Sequence, residues 1–141
     1  MSNILSSFSY YYNYYYKFFF IYYFIHKYLF EISFLEGDSM LPTFNKHSTL
    51  VFIDKFSPIF FRPKIDQIVI VNKNGIEMCK RIKKIKTIEK NIFIWIEGDN
   101  KKNSFDSRNF GWIKKEFIIG NVLIEIYPKM KILNKNNQIK I

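Results

Sequence analysis

QIVIVNKNGIEMCKRIKKI, residues 67–85, reads as two β-strands joined by a tight turn. Gln67 to Asn72 is rich in β-branched residues, and Ile76 to Ile85 continues as a second run. Asn74-Gly75 between them is a strong short-range hairpin signal, because both residues tolerate the positive φ that such turns need. Working outward, Ser48 to Asp54 (STLVFID), Asn91 to Glu97 (NIFIWIE) and Phe117 to Tyr127 give further short runs, the last with a break expected at Gly120-Asn121. No 3.6-residue apolar stripe follows residue 40. The expected fold class is therefore mainly β, with twisted antiparallel sheets or a partly closed barrel. The tail, residues 129–141, is polar and rich in Asn and Lys, and is expected to fray.

The other end of the chain differs in kind. Residues 8–35, FSYYYNYYYKFFFIYYFIHKYLFEISFL, form an aromatic tract interrupted by Lys17, His26, Lys27 and Glu31. A membrane-spanning helix needs about 20 mainly apolar residues, and tyrosine prefers the interface to the bilayer centre. Residues 1–35 are expected to be one N-terminal membrane helix serving as an anchor, a reading that overlaps with a targeting segment. The plainer alternative is a low-complexity aromatic tract. No Ala-x-Ala-like cleavage site precedes Gly37, which disfavours a cleaved secretory signal.

The 141 residues suit one domain, with about 105 left for a modest core once the anchor is set aside. The formal charge is +10, from 22 Lys and Arg against 12 Asp and Glu. The lysines are scattered along the chain rather than gathered on one helix, so no nucleic-acid partner is assigned. Cys79 is the single cysteine, and His26 and His47 are the only histidines. That inventory excludes an internal disulfide and disfavours a thiolate zinc site or a Ser-His-Asp triad. No metal and no cofactor are expected.

Three segments carry side chains fit for chemistry. Gly37-Asp38-Ser39-Met40-Leu41-Pro42-Thr43 places a serine in a tightly turned loop, which suits an exposed hydroxyl but is common. Cys79-Lys80-Arg81-Ile82 places a lysine within a strand. Pointing inward, Lys80 would be desolvated and favour its neutral form, with Arg81 on the opposite face as a solvated charge. The alternative is an ordinary basic strand edge. Gly98-Asp99-Asn100-Lys101-Lys102-Asn103-Ser104-Phe105-Asp106-Ser107-Arg108 is polar, with Asp106 and Arg108 able to pair, and by itself reads as a solvent loop.

Taken together and in this order, the segments resemble the signal peptidase I family of serine proteases. Ser39 to Thr43 matches the Ser-Met-x-Pro-Thr motif of its nucleophile. Lys80-Arg81-Ile82 matches its Lys-Arg-aliphatic motif, and Gly98 to Arg108 matches every fixed position of its Gly-Asp-Asn-x-x-Asn-Ser-x-Asp-Ser-Arg motif. The resemblance covers residues 36–128. It is strongest to the mitochondrial inner membrane peptidase branch, because only fifteen residues separate Ile82 from Gly98, leaving no room for the second β domain of many bacterial relatives. The endoplasmic reticulum branch has His where this chain has Lys80. One turn departs from the family pattern, since Asp66-Gln67 stand where relatives have Gly-Asp.

The resemblance implies a catalytic domain over 36–128 with a Ser39–Lys80 dyad, and no cofactor. It implies that Ser104 bonds and orients the Lys80 amine, that Asp106 and Arg108 form a supporting ion pair, and that Asp99 is structural. Gly37, Asp38, Met40 and Pro42 would shape the oxyanion and substrate loop, with no side-chain hydroxyl at Gly37. The implied activity is removal of sorting or signal peptides from precursor proteins at the mitochondrial inner membrane. The domain would face the intermembrane space in a heteromeric complex with a related subunit. A free lysine titrates near about 10.4, so roughly 3 kcal/mol of environment is needed to make it half neutral at about pH 8. Three alternatives stand beside this reading: a self-cleaving Ser-Lys repressor, a signal peptidase of another organelle, and a membrane-anchored subunit that binds without cutting. The first lacks support, because the N-terminal tract has no helix-turn-helix pattern.

Overall fold

The computed structural model describes residues 2–46 and 48–133, with side chains described for 11–25, 27–46 and 48–133. His47 and residues 134–141 lie outside the described residues; of the tail 129–141, expected to fray, Lys131–Ile132 instead pair as a strand with Ile124 and Glu125. The chain runs through a helix α1 (Ser2–Tyr28), strands β1 (Phe30–Leu35) and β2 (Thr49–Asp54), a single-turn helix α2 (Ser57–Phe60), then strands β3 (Ile68–Lys73), β4 (Ile76–Ile88) and β5 (Asn91–Glu97). A second short helix α3 (Ser107–Phe110) leads to β6 (Ile113–Lys114), β7 (Ile118–Tyr127) and β8 (Lys131–Ile132). All strand pairs are antiparallel, in the order β1-β2-β7-β3-β4-β5-β6, with β8 also on β7. Among the described residues the two ends of this path do not pair, so of the two expected forms, antiparallel sheet or partly closed barrel, the chain shows an antiparallel sheet that is not closed.

The hairpin read first from the sequence is present. Asn74 and Gly75 take φ of 56° and 82°, and the Asn72 side chain accepts from the Gly75 amide at 3.0 Å. Positive φ at both turn residues matches the twist of the flanking strands. The continuous apolar run of β3 has a physical reason too. Ile68 and Ile70 enter one core cluster with Met40, Phe44, Val51, Ile53 and Val122. Val69 and Val71 enter another with Ile82, Ile94, Ile96, Ile113 and Ile118. Successive strand side chains face opposite sides, so a strand buried on both must be apolar at every position.

Asp66, at the departure from the family pattern, adopts φ of 68°. Glycine takes that left-handed region without penalty, and Asp tolerates it better than most residues. Two bonds tie this turn to β4: Asp66 N donates to Ile82 O at 2.8 Å, and Ile82 N to Gln67 O at 2.9 Å. Strand β7 runs unbroken through Gly120-Asn121, with the expected break replaced by a register shift against β3 between Ile70 and Val71.

The N-terminal expectation needs two corrections. The tract divides at Leu29, and Phe30–Leu35 is a strand paired with β2 over its whole length rather than part of an anchor. Its alternation, FEISFL, exposes Phe30, Ile32 and Phe34 and half-buries Glu31, Ser33 and Leu35. The preceding helix, at about 40 Å, is long, but among the described residues no helix is long and apolar enough to cross a membrane. The tyrosine hydroxyls, with Asn13, Lys17 and Lys27, keep its hydropathy below that of a span. Its side chains from residue 11 to 25 are all exposed.

Candidate active site

The serine loop is held from three directions. Met40 and Phe44, each 3% exposed, pin it to the first core cluster. Phe44 N donates to Met40 O at 3.0 Å and Leu41 N to Asp38 O at 3.2 Å, which curl the loop into successive turns. The third segment closes over it. Asn100 N donates to the Ser39 carbonyl at 3.0 Å, and Asn100 Nδ2 to the Asp38 carbonyl at 3.0 Å. Asn103 and Lys46 reach the Asp38 carboxylate at 3.4 and 3.3 Å. Gly37 (φ 111°) and Pro42 stay exposed at the loop's rim.

Lys80 sits on β4 opposite Val69 and two residues before Ile82, both wholly buried. Opposed residues of an antiparallel pair share a face, so its stem lies on an apolar surface. It is 4% exposed, and its amine donates to Ser39 Oγ at 2.7 Å. Burial, the largest influence, lowers its pKa from 10.5; the Asp106 carboxylate raises it and the Arg108 guanidinium lowers it. Cys79 next to it packs half-buried against the first core cluster, and desolvation pushes its thiol up to about 12.

Arg81 does point away from Lys80, as strand alternation requires, but it is not a solvated charge. Its Nε and Nη2 grip Asp99 Oδ1 and Oδ2 at 2.8 and 2.7 Å. Thr43 Oγ1 donates to Asp99 Oδ2 at 2.5 Å, and Arg81 Nη1 donates to the Asp66 carbonyl at 2.9 Å. One guanidinium–carboxylate pair thus joins the serine loop, the lysine strand and the Gly-Asp-Asn segment. Burial would raise the Asp99 pKa, but the bonds from Arg81 and Thr43 outweigh it and hold the carboxyl below its ordinary value. Sequence reading missed this role for Arg81 and Thr43, because charge complementarity across 18 positions leaves no local signature.

Asp106 is wholly buried and ionised for a similar reason. Burial opposes its charge, yet Arg108, the Gly98 amide, the Ser104 hydroxyl and the Arg108 amide all donate to it, holding its pKa well below the usual carboxylate range. The expected Asp106–Arg108 ion pair is present at 2.6 Å. Asp106 also caps α3, accepting from Arg108 N while its own amide donates to Asn109 Oδ1. Ser104 departs from expectation: its hydroxyl donates to Asp106 Oδ2 at 2.7 Å, whereas the bond from the Lys80 amine goes to Ser39. Gly98 is required by close approach, since a methyl there would collide with the Ser104 side chain and the Ser39 carbonyl.

A cleft of about 620 Å³ opens beside Ser39 and Lys80. It extends along Glu31, Ser33 and Leu35 of β1, with Ile53 and Ile70 among its apolar lining. Strand β1, read from sequence as anchor, is therefore a wall of the cleft, and its alternation was the signal available for finding it.

Two outcomes follow from this arrangement. Arg81→Ala strands Asp99 in a half-closed site and is expected to cost about 3 kcal/mol, read by urea denaturation. The lowered Lys80 pKa means the unfolded chain binds that proton more tightly. This group's stabilising contribution is therefore full above 10.5 and is lost as pH falls to the lowered folded value. The stability of the parent relative to Lys80→Met is accordingly expected to be higher at about pH 10 than at about pH 7.

Comparison with known proteins identifies the family of the chain. The family described as signal peptidase, peptidase S26, matches residues 78–127, a span that includes Lys80 and the whole Gly98–Arg108 segment. Mitochondrial inner membrane protease subunit 1 of Schizosaccharomyces pombe is 32% identical over 121 residues, covering 72% of this chain and 76% of the relative. The Xenopus tropicalis protein of that name is 28% identical over 120 residues, covering 72% and 71%. The human one is 32% identical over 111 residues, covering 65% and 66%. On that extent of likeness, this chain belongs to the peptidase S26 family of signal peptidases.

Proposed function

We propose that this chain is a membrane-bound serine endopeptidase that removes N-terminal sorting or signal peptides from precursor proteins, with Ser39 as nucleophile and Lys80 as general base. The observation that carries the reading is the 2.7 Å bond between a buried amine and a hydroxyl 41 positions away, beside an open cleft. The catalytic unit is residues 36–128, with β1 contributing a wall of the cleft. The names of its relatives support the inner mitochondrial membrane as its place and a complex with a related subunit as its state. The catalytic unit would face the intermembrane space.

In this mechanism neutral Lys80 takes the Ser39 proton as Oγ attacks the scissile carbonyl. The Ser39 backbone amide donates to the developing oxyanion; Gly37 has no hydroxyl to add. The Lys80 ammonium then passes its proton to the departing amine, leaving an acyl-enzyme on Ser39. Lys80 next takes a proton from water, the resulting hydroxide equivalent attacks the ester, and the proton returns to Ser39 as the acid product leaves. Ser104 and the Asp106–Arg108 pair are positioning groups, acting through the backbone of Gly98 and the electrostatics of Lys80. Asp99 acts on the loop through Thr43, and Asp38, Met40 and Pro42 shape it.

Ser39→Ala and Lys80→Met are each expected to lower peptide cleavage by at least about a thousandfold while keeping a cooperative unfolding transition. Cleavage at parental rates by either variant would refute the dyad. A serine-directed acylating probe that leaves Ser39 unlabelled would favour a subunit that only binds. Because the base must be neutral, kcat is expected to rise with pH through the lowered Lys80 pKa and level off above it. A rate already maximal well into the acid range would exclude a lysine base.

A further inference from the structure

The segment after β2 carries a surface that peptide cleavage does not use. Ile59, Phe60, Phe61 and Ile65 are each at least 60% exposed, and Phe56 packs in a tilted arrangement against Phe60 with ring centroids 4.5 Å apart. Contiguous apolar surface of this kind marks an interaction site more often than bare solvent. Beside it lies a depression of about 230 Å³, whose lining includes Arg62, Lys64, Lys115 and Asn121. Among the described residues none of these three cations is in an ion pair, and Lys115 donates only to the Ile59 carbonyl at 3.4 Å. The lining carboxylate, Asp54, is engaged by the amides of Phe56 and Ser57. Asn121, 7% exposed, lines the floor of this depression.

The position of this surface adds an independent argument. Lys55 N donates to Leu29 O at 2.8 Å, and α2 begins two residues later at Ser57. The aromatic helix α1 and the aromatic patch of α2 therefore leave the sheet at the same end. Aromatic side chains favour the bilayer interface, and lysine and arginine beside it attract anionic headgroups. A protein partner would have to bring both apolar and acidic groups to this place, whereas an anionic bilayer presents the two together.

We propose that residues 56–65, with the pocket formed by Arg62, Lys64, Lys115 and Asn121, dock on anionic phospholipid, the phosphodiester entering the pocket while the aromatic side chains enter the interface. This docking stands apart from the chemistry at Ser39. It orients the catalytic unit on the bilayer surface.

The test uses the full chain in lipid nanodiscs, with Ile59→Cys carrying an environment-sensitive maleimide dye. The Cys79 thiol, pushed up to about 12, holds little thiolate at neutral pH, so the label goes to the exposed engineered site. Discs containing phosphatidylglycerol are expected to shift the emission to the blue, and phosphatidylcholine discs are not. Arg62→Gln/Lys64→Gln/Lys115→Gln is expected to abolish the shift, with thermal unfolding confirming that the fold is retained. Phe60→Ser/Phe61→Ser provides a second variant, expected to lose the shift with the cations intact. Equal emission on both discs, or a triple variant that keeps the full shift, would overturn the proposal. So would a shift produced by inorganic phosphate on phosphatidylcholine discs, which would assign the pocket to a soluble anion.

Discussion

The grip of Arg81 on Asp99 organises everything near Ser39. A planar guanidinium meets a carboxylate through two parallel bonds, which fixes direction as well as distance. Thr43 adds the serine loop to the same carboxylate, and the Asp66 carbonyl adds the turn before β3. Such a pair is costly to desolvate and is weak evidence of net stability. Its consequence here is registration: three segments distant in sequence acquire one relative placement.

That placement sets the electrostatics of the amine. Lys80 is desolvated by apolar neighbours, which favours loss of its proton, while a buried anion nearby pulls the other way. Arg108 bears on Asp106 through two of its nitrogens and offsets that pull. The carboxylate remains ionised because five bonds from four donor groups converge on it, and through the Gly98 amide it holds the strand end that carries Asn100. Asn100 in turn fastens the Ser39 carbonyl. Ser104 belongs to this anchoring set, bonded to the anion rather than to the amine.

Strand β1 and helix α1 show how one biased composition serves two structures. The same aromatic alphabet gives an exposed helix up to Tyr28 and a paired strand from Phe30. The division follows periodicity: Glu31, Ser33 and Leu35 alternate with Phe30, Ile32 and Phe34, a pattern of two that a sheet edge accepts. Glu31, Ser33 and Leu35 line the cleft, while Phe30 and Ile32 stay exposed outside it.

The hairpin at Asn74-Gly75, the apolar run of β3 and the antiparallel β class were legible in the sequence, because each depends on local periodicity and turn chemistry. The three motifs were legible as an ordered set, and Lys80 as an inward-facing lysine, because strand alternation is also local. What only the tertiary structure decided was non-local. It moved β1 from the anchor to the cleft, left the sheet open, turned Arg81 from a solvated charge into a clamp on Asp99, and gave the Ser104 hydroxyl to Asp106. Those outcomes depend on which groups meet after the chain has closed loops of tens of residues, and pairing energy between such groups leaves no periodic trace along the chain.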